Sequence, residues 1–329
     1  MHVAVVIVGF RNPADIVKCL ASLNQSDYAD FEVVVCENGG RPAFEALTER
    51  LPKVLSGGQS VRILLAPHNL GYGGGVNLGL AASAGADAWW VLNPDTQPDR
   101  AALGALVARL SVGDCEAVGG ILHFPDGKVE SFGGRWWPWG ASPRPFGYGG
   151  RLDSPVDVTA IEPRLSYVSG ASMMISRRFV SATGPMREDY FLYCEEVEWG
   201  LRAKARGLRF GLAPEAKVLH YQGATTGSVE QVSRRPRMPV YLDTRNKILV
   251  TRDRFPACLP SAALVVIATS VLRFARRGAW RQIGYAVSGW LAGLRGERGA
   301  PKWLAAAEQA APGSVVPTPM SPGGDQRAS

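Results

Sequence analysis

The sequence predicts an α/β domain built on a mostly parallel central sheet flanked by helices, with a C-terminal helical segment lying near a membrane. Apolar strand-like runs alternate with helical ones through the first 250 residues, and the early strands are apolar on both faces, as in a sheet covered on each side. The chain is also long enough for a sizeable core, with 329 residues of which 46% are hydrophobic. Met1 to Val8 lacks a basic n-region and a small-residue cleavage site and is cut short by Arg11 and Pro13, so it reads as the first strand and not as a signal peptide. Residues 14–23 follow as a helix. Strand 31–36 precedes helix 43–51, and strand 61–66 precedes helix 74–84. Residues 88–92 and 117–122 continue the strand series, with a helix over 101–110 between them.

Five cysteines, odd in number and scattered without a C-x-x-C pair, exclude a disulfide framework and suit a reducing compartment. Charge divides the chain sharply. Residues 1–233 carry 21 Lys and Arg against 24 Asp and Glu, whereas residues 234–298 carry 13 against 3. A mildly acidic body followed by a basic segment points to an anionic surface as partner. No nucleic-acid-binding motif accompanies the basic residues, so nucleic acid is not expected. Ser261 to Leu272 is an apolar helical run too short to span a bilayer, which needs about 20 residues. Arg273, Arg277 and Arg281 then recur at four-residue spacing, which would place them on one helix face. Two readings stay open for this segment: a peripheral helix at the headgroup level, or a helix packed on its own catalytic body with solvated arginines. From Ala311 the composition turns to Pro, Gly, Ser and Thr, that of a disordered tail.

Sites in sheets of this kind sit outside the carboxyl ends of the strands. The residues there are Phe10-Arg11-Asn12, Glu37-Asn38, Pro67 to Gly75 and Asn93-Pro94-Asp95. The run Gly71 to Gly75 could let backbone approach a phosphate ahead of a helix, or be a tight turn; it matches no standard phosphate motif. Asp95, at the tip of an apolar strand, could bind a hard divalent cation or cap the helix that follows. Glu195, Glu196 and Glu198 form the densest acidic cluster, among Phe191, Tyr193 and Trp199. One of them could be a general base in an apolar surround, or all could be first-turn acids matching a helix dipole. His220 alone could be structural or a ligand. The Gly-, Pro- and Trp-rich stretch 123–151 could be an acceptor-side loop or a self-packed surface excursion.

Taken in order, VVIVGFRNPADIVKCLASL, NLGYGGGVNLGL, LNPD, VSGASMMISRR, FLYCEEVEWGLRAKARG, VLHYQGATTG and TRNK resemble the inverting family 2 glycosyltransferases with the GT-A fold, in particular a rhamnosyltransferase-like branch, over roughly residues 1–300. The resemblance implies a GT-A domain over 1–250, a basic amphipathic segment over 251–300 and a tail over 301–329. It implies a Mg2+ or Mn2+ ion at Asp95, with Asn93 in the first position of the family's D-x-D and His220 joining the metal and diphosphate shell. Glu196 matches the catalytic base of the family's E-D pair, and Glu195 precedes it. Phe10, Arg11 and Glu37 fall at the strand tips that hold nucleobase and ribose, and Asn69, Gly73 and Asn77 in the loop beside the nucleotide-sugar. Phe10-Arg11 and Glu37-Asn38 stand where the family has Tyr-Asn and Asp-Asn, which leaves the nucleotide open. The implied activity is hexosyl transfer, with L-rhamnose from dTDP-L-rhamnose, to a lipid-linked or polysaccharide acceptor in cell-envelope biosynthesis, on the cytoplasmic face of the plasma membrane. A UDP- or GDP-hexose donor and a catalytically silent glycan-binding scaffold are the alternatives.

Overall fold

Uninterrupted apolar sequence makes the first strand a central one. In the computed structural model, which describes residues 1–221 and 231–304, β1 (Val3–Gly9) is buried along its whole length. It pairs in parallel with β2 (Phe31–Glu37) and β4 (Ala88–Leu92), and β3 (Val61–Leu65) extends the parallel series beyond β2. Helices cover both faces. Val3, Val5 and Ile7 face α1 (Pro13–Leu23), α2 (Arg41–Arg50) and α4 (Ala102–Ser111), whose buried residues include Ile16, Leu47 and Leu103. Ala4, Val6 and Val8 face α3 (Gly71–Ala82), α6 (Arg177–Thr183) and α7 (Glu195–Ala205). The two-residue period of the strand thus feeds two cores, each buried Val, Leu or Ile contributing about 1.5–3 kcal/mol.

Beyond β4 the pairing becomes mixed. The remaining strands are β5 (Thr96–Pro98), β6 (Ala117–His123), β7 (Val129–Ser131), the hairpin β8 (Gly134–Trp137) and β9 (Ser142–Pro145), β10 (Ser172–Ser176) and β11 (Phe210–His220), with the short helix α5 (Val158–Ile161) after the hairpin. The main sheet runs β3-β2-β1-β4-β10-β6-β11-β5, with β7 on β6. The sheet is therefore parallel over its first four strands and again between β6 and β11, with antiparallel pairing through β10, β5 and β7. β10 enters between β4 and β6 antiparallel to both, because the chain returns to the sheet from the rim where β4 ends; Ser172 pairs with Leu92. That reversal places the start of β10 and the end of β4 at one edge, where Asn93 N–H donates to the carbonyl of Ala171 at 3.0 Å.

The basic segment is joined to this body. The expected boundary at residue 250 lies inside α8 (Arg237–Arg254), which is followed by a turn at Pro256–Cys258, α9 (Leu259–Ala275) and α10 (Trp280–Arg295). Small residues let α10 lie close on α8: a Cβ at Gly289 would sit 2.3 Å from the carbonyl oxygen of Tyr241. Trp290 Nε1–H donates to Ala263 O, and Arg187 and Arg298 both pair with Asp253. Arg273, Arg277 and Arg281 do not share one helix face, because α9 ends at Ala275 and a turn with Gly278 at φ 61° separates it from α10. The apolar helical run is also longer than the twelve residues read from the sequence. Pro256–Ala275 is 20 residues with a mean hydropathy of 1.8, enough by length and composition to cross a membrane, although Ala262, Ala263 and Val266 pack inward. Residues 305–329 of the expected tail and 222–227 of the VLHYQGATTG string lie outside the described residues.

Candidate active site

A cavity of about 450 Å3 opens at the rim shared by β1, β4 and β10. Phe10 and Asn12 reach it from the end of β1, Asn93 to Asp95 from the end of β4, and Ser169 to Ala171 from the start of β10. Asn69, Gly71 and Tyr72 contribute from the entry to α3, Phe191 to Glu196 from the entry to α7, and His220 from the end of β11. Of the residues singled out in the sequence, Phe10, Asn69, Asn93, Asp95, Glu195, Glu196 and His220 meet here. Pro143 of β9 is the contribution of the aromatic stretch; Trp139 and Tyr148 of that stretch point to solvent.

Asp95 and His220 are brought together by strand pairing. His220 pairs with Thr96 of the antiparallel β5, and its Nε2 lies 3.4 Å from Asp95 Oδ1. Asp95 does not cap α4, which begins only at Ala102 after β5. Glu130, absent from the sequence reading, completes the arrangement. β7 lies against the end of β6, so the Nδ1–H of His220 donates to Glu130 Oε2 at 2.7 Å. Burial lowers the affinity of His220 for a proton, but the carboxylates of Asp95 and Glu130 outweigh it and lift the imidazole to about 10. Nε2 is buried and lacks a hydrogen-bond partner of good alignment among the described residues. An imidazole whose far nitrogen is fixed by a carboxylate, with the near nitrogen beside a second carboxylate, fits a divalent cation that would displace the proton on Nε2 and take its remaining ligands from water and diphosphate oxygens. No group of three His, Cys, Asp or Glu side chains positioned to hold a metal occurs among the described residues. The pair would therefore share the ion with its substrate.

Glu195 and Glu196 of the acidic cluster line the same cavity. Glu198 is spoken for: it is fully buried and paired with Arg202 at 3.0 Å and with Arg254. Glu195 is 2% exposed with Oε2 unpartnered among the described residues, whereas Glu196 is half-buried at the cavity wall. Burial raises both carboxyls, and the neighbouring charge of Glu196 helps push Glu195 up to about 8. Of the two, Glu195 is the one whose surroundings favour keeping a proton near neutral pH.

The backbone leading to this pair is strained, with Phe191, Tyr193 and Cys194 at φ 68°, 74° and 67°. Asn246 of α8, from the TRNK string, holds it there: its Nδ2 donates to the carbonyls of Tyr190, Leu192 and Tyr193 at 2.8–3.0 Å. Arg245 adds a bond to Tyr190 O at 2.8 Å. The string was visible in the sequence, but its role was not. Asn246→Ala removes this donor from the carbonyls of Leu192 and Tyr193 in a buried setting, while Tyr190 O keeps its bond from Arg245. With roughly 1 kcal/mol per lost bond, we expect about 2 kcal/mol of destabilisation by denaturant unfolding, and a loss of transfer activity in the protein that remains folded.

Four expected contacts are not part of the cavity wall. Gly73 is required where α3 meets residues 186–187, since a Cβ there would sit 2.8 Å from Arg187 O. Asn77 bonds Met186 through both its amide groups, donating to the carbonyl at 2.8 Å and accepting from the N–H at 2.9 Å. Glu37 is buried and accepts from the N–H groups of Arg11 and Gly39, and Arg11 Nε donates to Gly39 O. These residues shape the turns behind Phe10 and the α3 entry. The glycine run lies within the first turns of α3, and only Gly71 and Tyr72 touch the cavity. Gly71, at φ 71°, is where the backbone must be bare: a Cβ would sit 2.2 Å from Phe191 O, the carbonyl that accepts from Tyr72 N–H.

Comparison with known proteins identifies the family and the fold. The profile described as Glycosyl transferase family 2 matches residues 4–180. An N-acetylglucosaminyl-diphospho-decaprenol L-rhamnosyltransferase of Mycobacterium tuberculosis is 28% identical over 252 residues, covering 68% of this chain and 77% of that protein. Among solved structures, a mannosyltransferase from Pyrobaculum calidifontis in complex with GDP-Man and Mn2+ aligns with a TM-score of 0.52 at 13% identity, covering 89% of this chain and 87% of that one. GalNAc-T7 with UDP, GalNAc and Mn2+ aligns with a TM-score of 0.55 at 14% identity over 75% of this chain, which spans about half (51%) of the GalNAc-T7 chain. These likenesses establish the GT-A fold.

Proposed function

The chain belongs to glycosyl transferase family 2 and is a hexosyltransferase, and on that premise we propose that it is an inverting, metal-dependent enzyme moving L-rhamnose from dTDP-L-rhamnose to a lipid-linked or polysaccharide acceptor. The observation that carries the mechanism is one cavity lined by both the Asp95–His220 pair and the Glu195–Glu196 pair. A divalent ion bound there would offset the charge that develops on the departing diphosphate. Asp95 and His220 would orient it, with Glu130 fixing the imidazole. Glu196 accepts the proton of the acceptor hydroxyl as that oxygen attacks the anomeric carbon from the face opposite the leaving group. Glu195, neutral, keeps a second negative charge out of the site. Phe10 and Asn12, at the end of β1, line the side of the cavity suited to the nucleotide base.

The rhamnosyl donor and the diphospholipid acceptor are supported by the name of the mycobacterial relative, and the metal by the Mn2+ in both solved neighbours. Attachment to the inner face of the plasma membrane is supported by the exposed Arg276, Arg277 and Arg281 and by Leu264, Leu272 and Trp280, which face outward on α9 and α10. The test is thermal stabilisation by nucleotide-sugars with and without Mg2+ or Mn2+. A metal-dependent shift with dTDP-L-rhamnose that exceeds those with UDP- and GDP-hexoses is the expected result. A larger shift with a UDP- or GDP-hexose reassigns the donor, and no shift with any nucleotide-sugar favours a silent scaffold.

A further inference from the structure

A second cavity of about 330 Å3 lies between α8 and α9 and adjoins the first, since Tyr193 and Asp243 line both. Its chemistry is cationic. Arg235, Lys247, Arg273 and Asp243 line it, three positive groups to one carboxylate, together with Thr269 and Ser270. Lys247 pairs with Asp243 at 2.7 Å, so the surplus charge rests on the two arginines. Arg235 Nε is buried without a hydrogen-bond partner among the described residues, a state that is costly unless an acceptor arrives. Burial and the nearby Arg273 both weaken the hold of Arg235 on its proton, and Arg277 adds to this. An anion with several oxygens would satisfy all of these groups.

We propose that this pocket holds the diphosphate of the lipid-linked acceptor, so that the attached sugar enters the catalytic cavity past Tyr193 and Asp243. The inference rests on the acceptor being lipid-linked, as read above. It assigns the lipid to α9, which supplies Thr269, Ser270, Arg273 and Phe274 to the pocket and carries the exposed apolar residues Leu264, Val271 and Leu272 on its outer side. A prenyl chain leaving the pocket would follow that stripe toward a bilayer. The donor diphosphate belongs to the other cavity, beside Asp95 and His220, so the two anions do not compete.

The test uses the full chain in the presence of a chelator, with farnesyl diphosphate, farnesol and inorganic pyrophosphate as probes and thermal shift as readout. Farnesyl diphosphate should bind without metal and more tightly than either fragment. The double variant Arg235→Gln with Arg273→Gln should bind it about tenfold more weakly or worse, and Arg235→Lys should restore part of the loss. Asp95→Ala should leave this binding intact, and the double variant should keep its metal-dependent nucleotide-sugar shift, which also shows that it is folded. Unchanged affinity in the double variant overturns the proposal. Equal affinity for pyrophosphate shows a soluble-anion site, equal affinity for farnesol an apolar one, and loss on Asp95→Ala a ligand in the catalytic cavity; each of these overturns it too. Failure of the donor reading would leave the farnesyl diphosphate, farnesol and pyrophosphate measurements unchanged, so the two can fail separately.

Discussion

Glu196→Gln lowers sugar transfer by roughly 10²–10⁴-fold with little change in donor binding, the magnitude expected when a positioned general base is removed. Gln keeps the shape of the side chain but cannot take the acceptor proton. Glu195→Gln has a far smaller effect near pH 7, because Glu195 already carries a proton there: burial and the charge of Glu196 push it to about 8. The sign of the pH dependence follows. A base works only when ionised, and burial raises Glu196, so the rate climbs with pH through a value above the ordinary carboxylate range and is lost as pH falls below it. Any further change in rate as Glu195 ionises near pH 8 should vanish in Glu195→Gln. Rate profiles of the wild type and both variants are the measurement, and full activity in Glu196→Gln would falsify the assignment.

Asp95→Ala abolishes the metal-dependent part of nucleotide-sugar binding, and transfer with it. Its Oδ1 is the oxygen that faces His220 Nε2, so its removal leaves a lone imidazole as ligand. Glu130→Gln is the graded companion. It keeps a hydrogen-bond acceptor for His220 Nδ1–H but removes the charge, and second-sphere partners of this type are worth roughly 10–100-fold in metal affinity. Calorimetric titration of Mn2+ in the presence of dTDP should therefore rank wild type above Glu130→Gln above Asp95→Ala. If Glu130→Gln matched the wild type, the histidine would be oriented by something other than this carboxylate.

Much of the architecture was legible from residue types. The apolar runs at Val3–Gly9 and Ala88–Leu92 are buried on both faces, and that alone located Phe10 and Asn93–Asp95 at a common rim. The acidic entry to α7 stood out because charge is conspicuous within an apolar run. Less was legible where one residue type serves two purposes. Gly73 and Asn77 sit in the string that resembles a nucleotide-sugar loop, yet their contacts are to residues 186–188, and a glycine demanded by close packing looks in sequence like a glycine demanded by a ligand. The arginine spacing after Leu272 failed for a related reason: periodicity assumes a continuous helix, and Gly278 breaks it.

By itself the sequence determined the alternation of strands and helices, the separation of an acidic body from a basic C-terminal segment, and the residues at the strand tips, because each follows from local pattern and short-range stereochemistry. Only the tertiary structure decided that β10 runs antiparallel into the middle of the sheet, that Glu130 orients a histidine 90 residues away, and that Asn246 holds the strained entry to Glu195 and Glu196. These are pairings between distant segments. They depend on register and on which buried carbonyl lacks a donor, and neither property is carried by any one stretch of the chain.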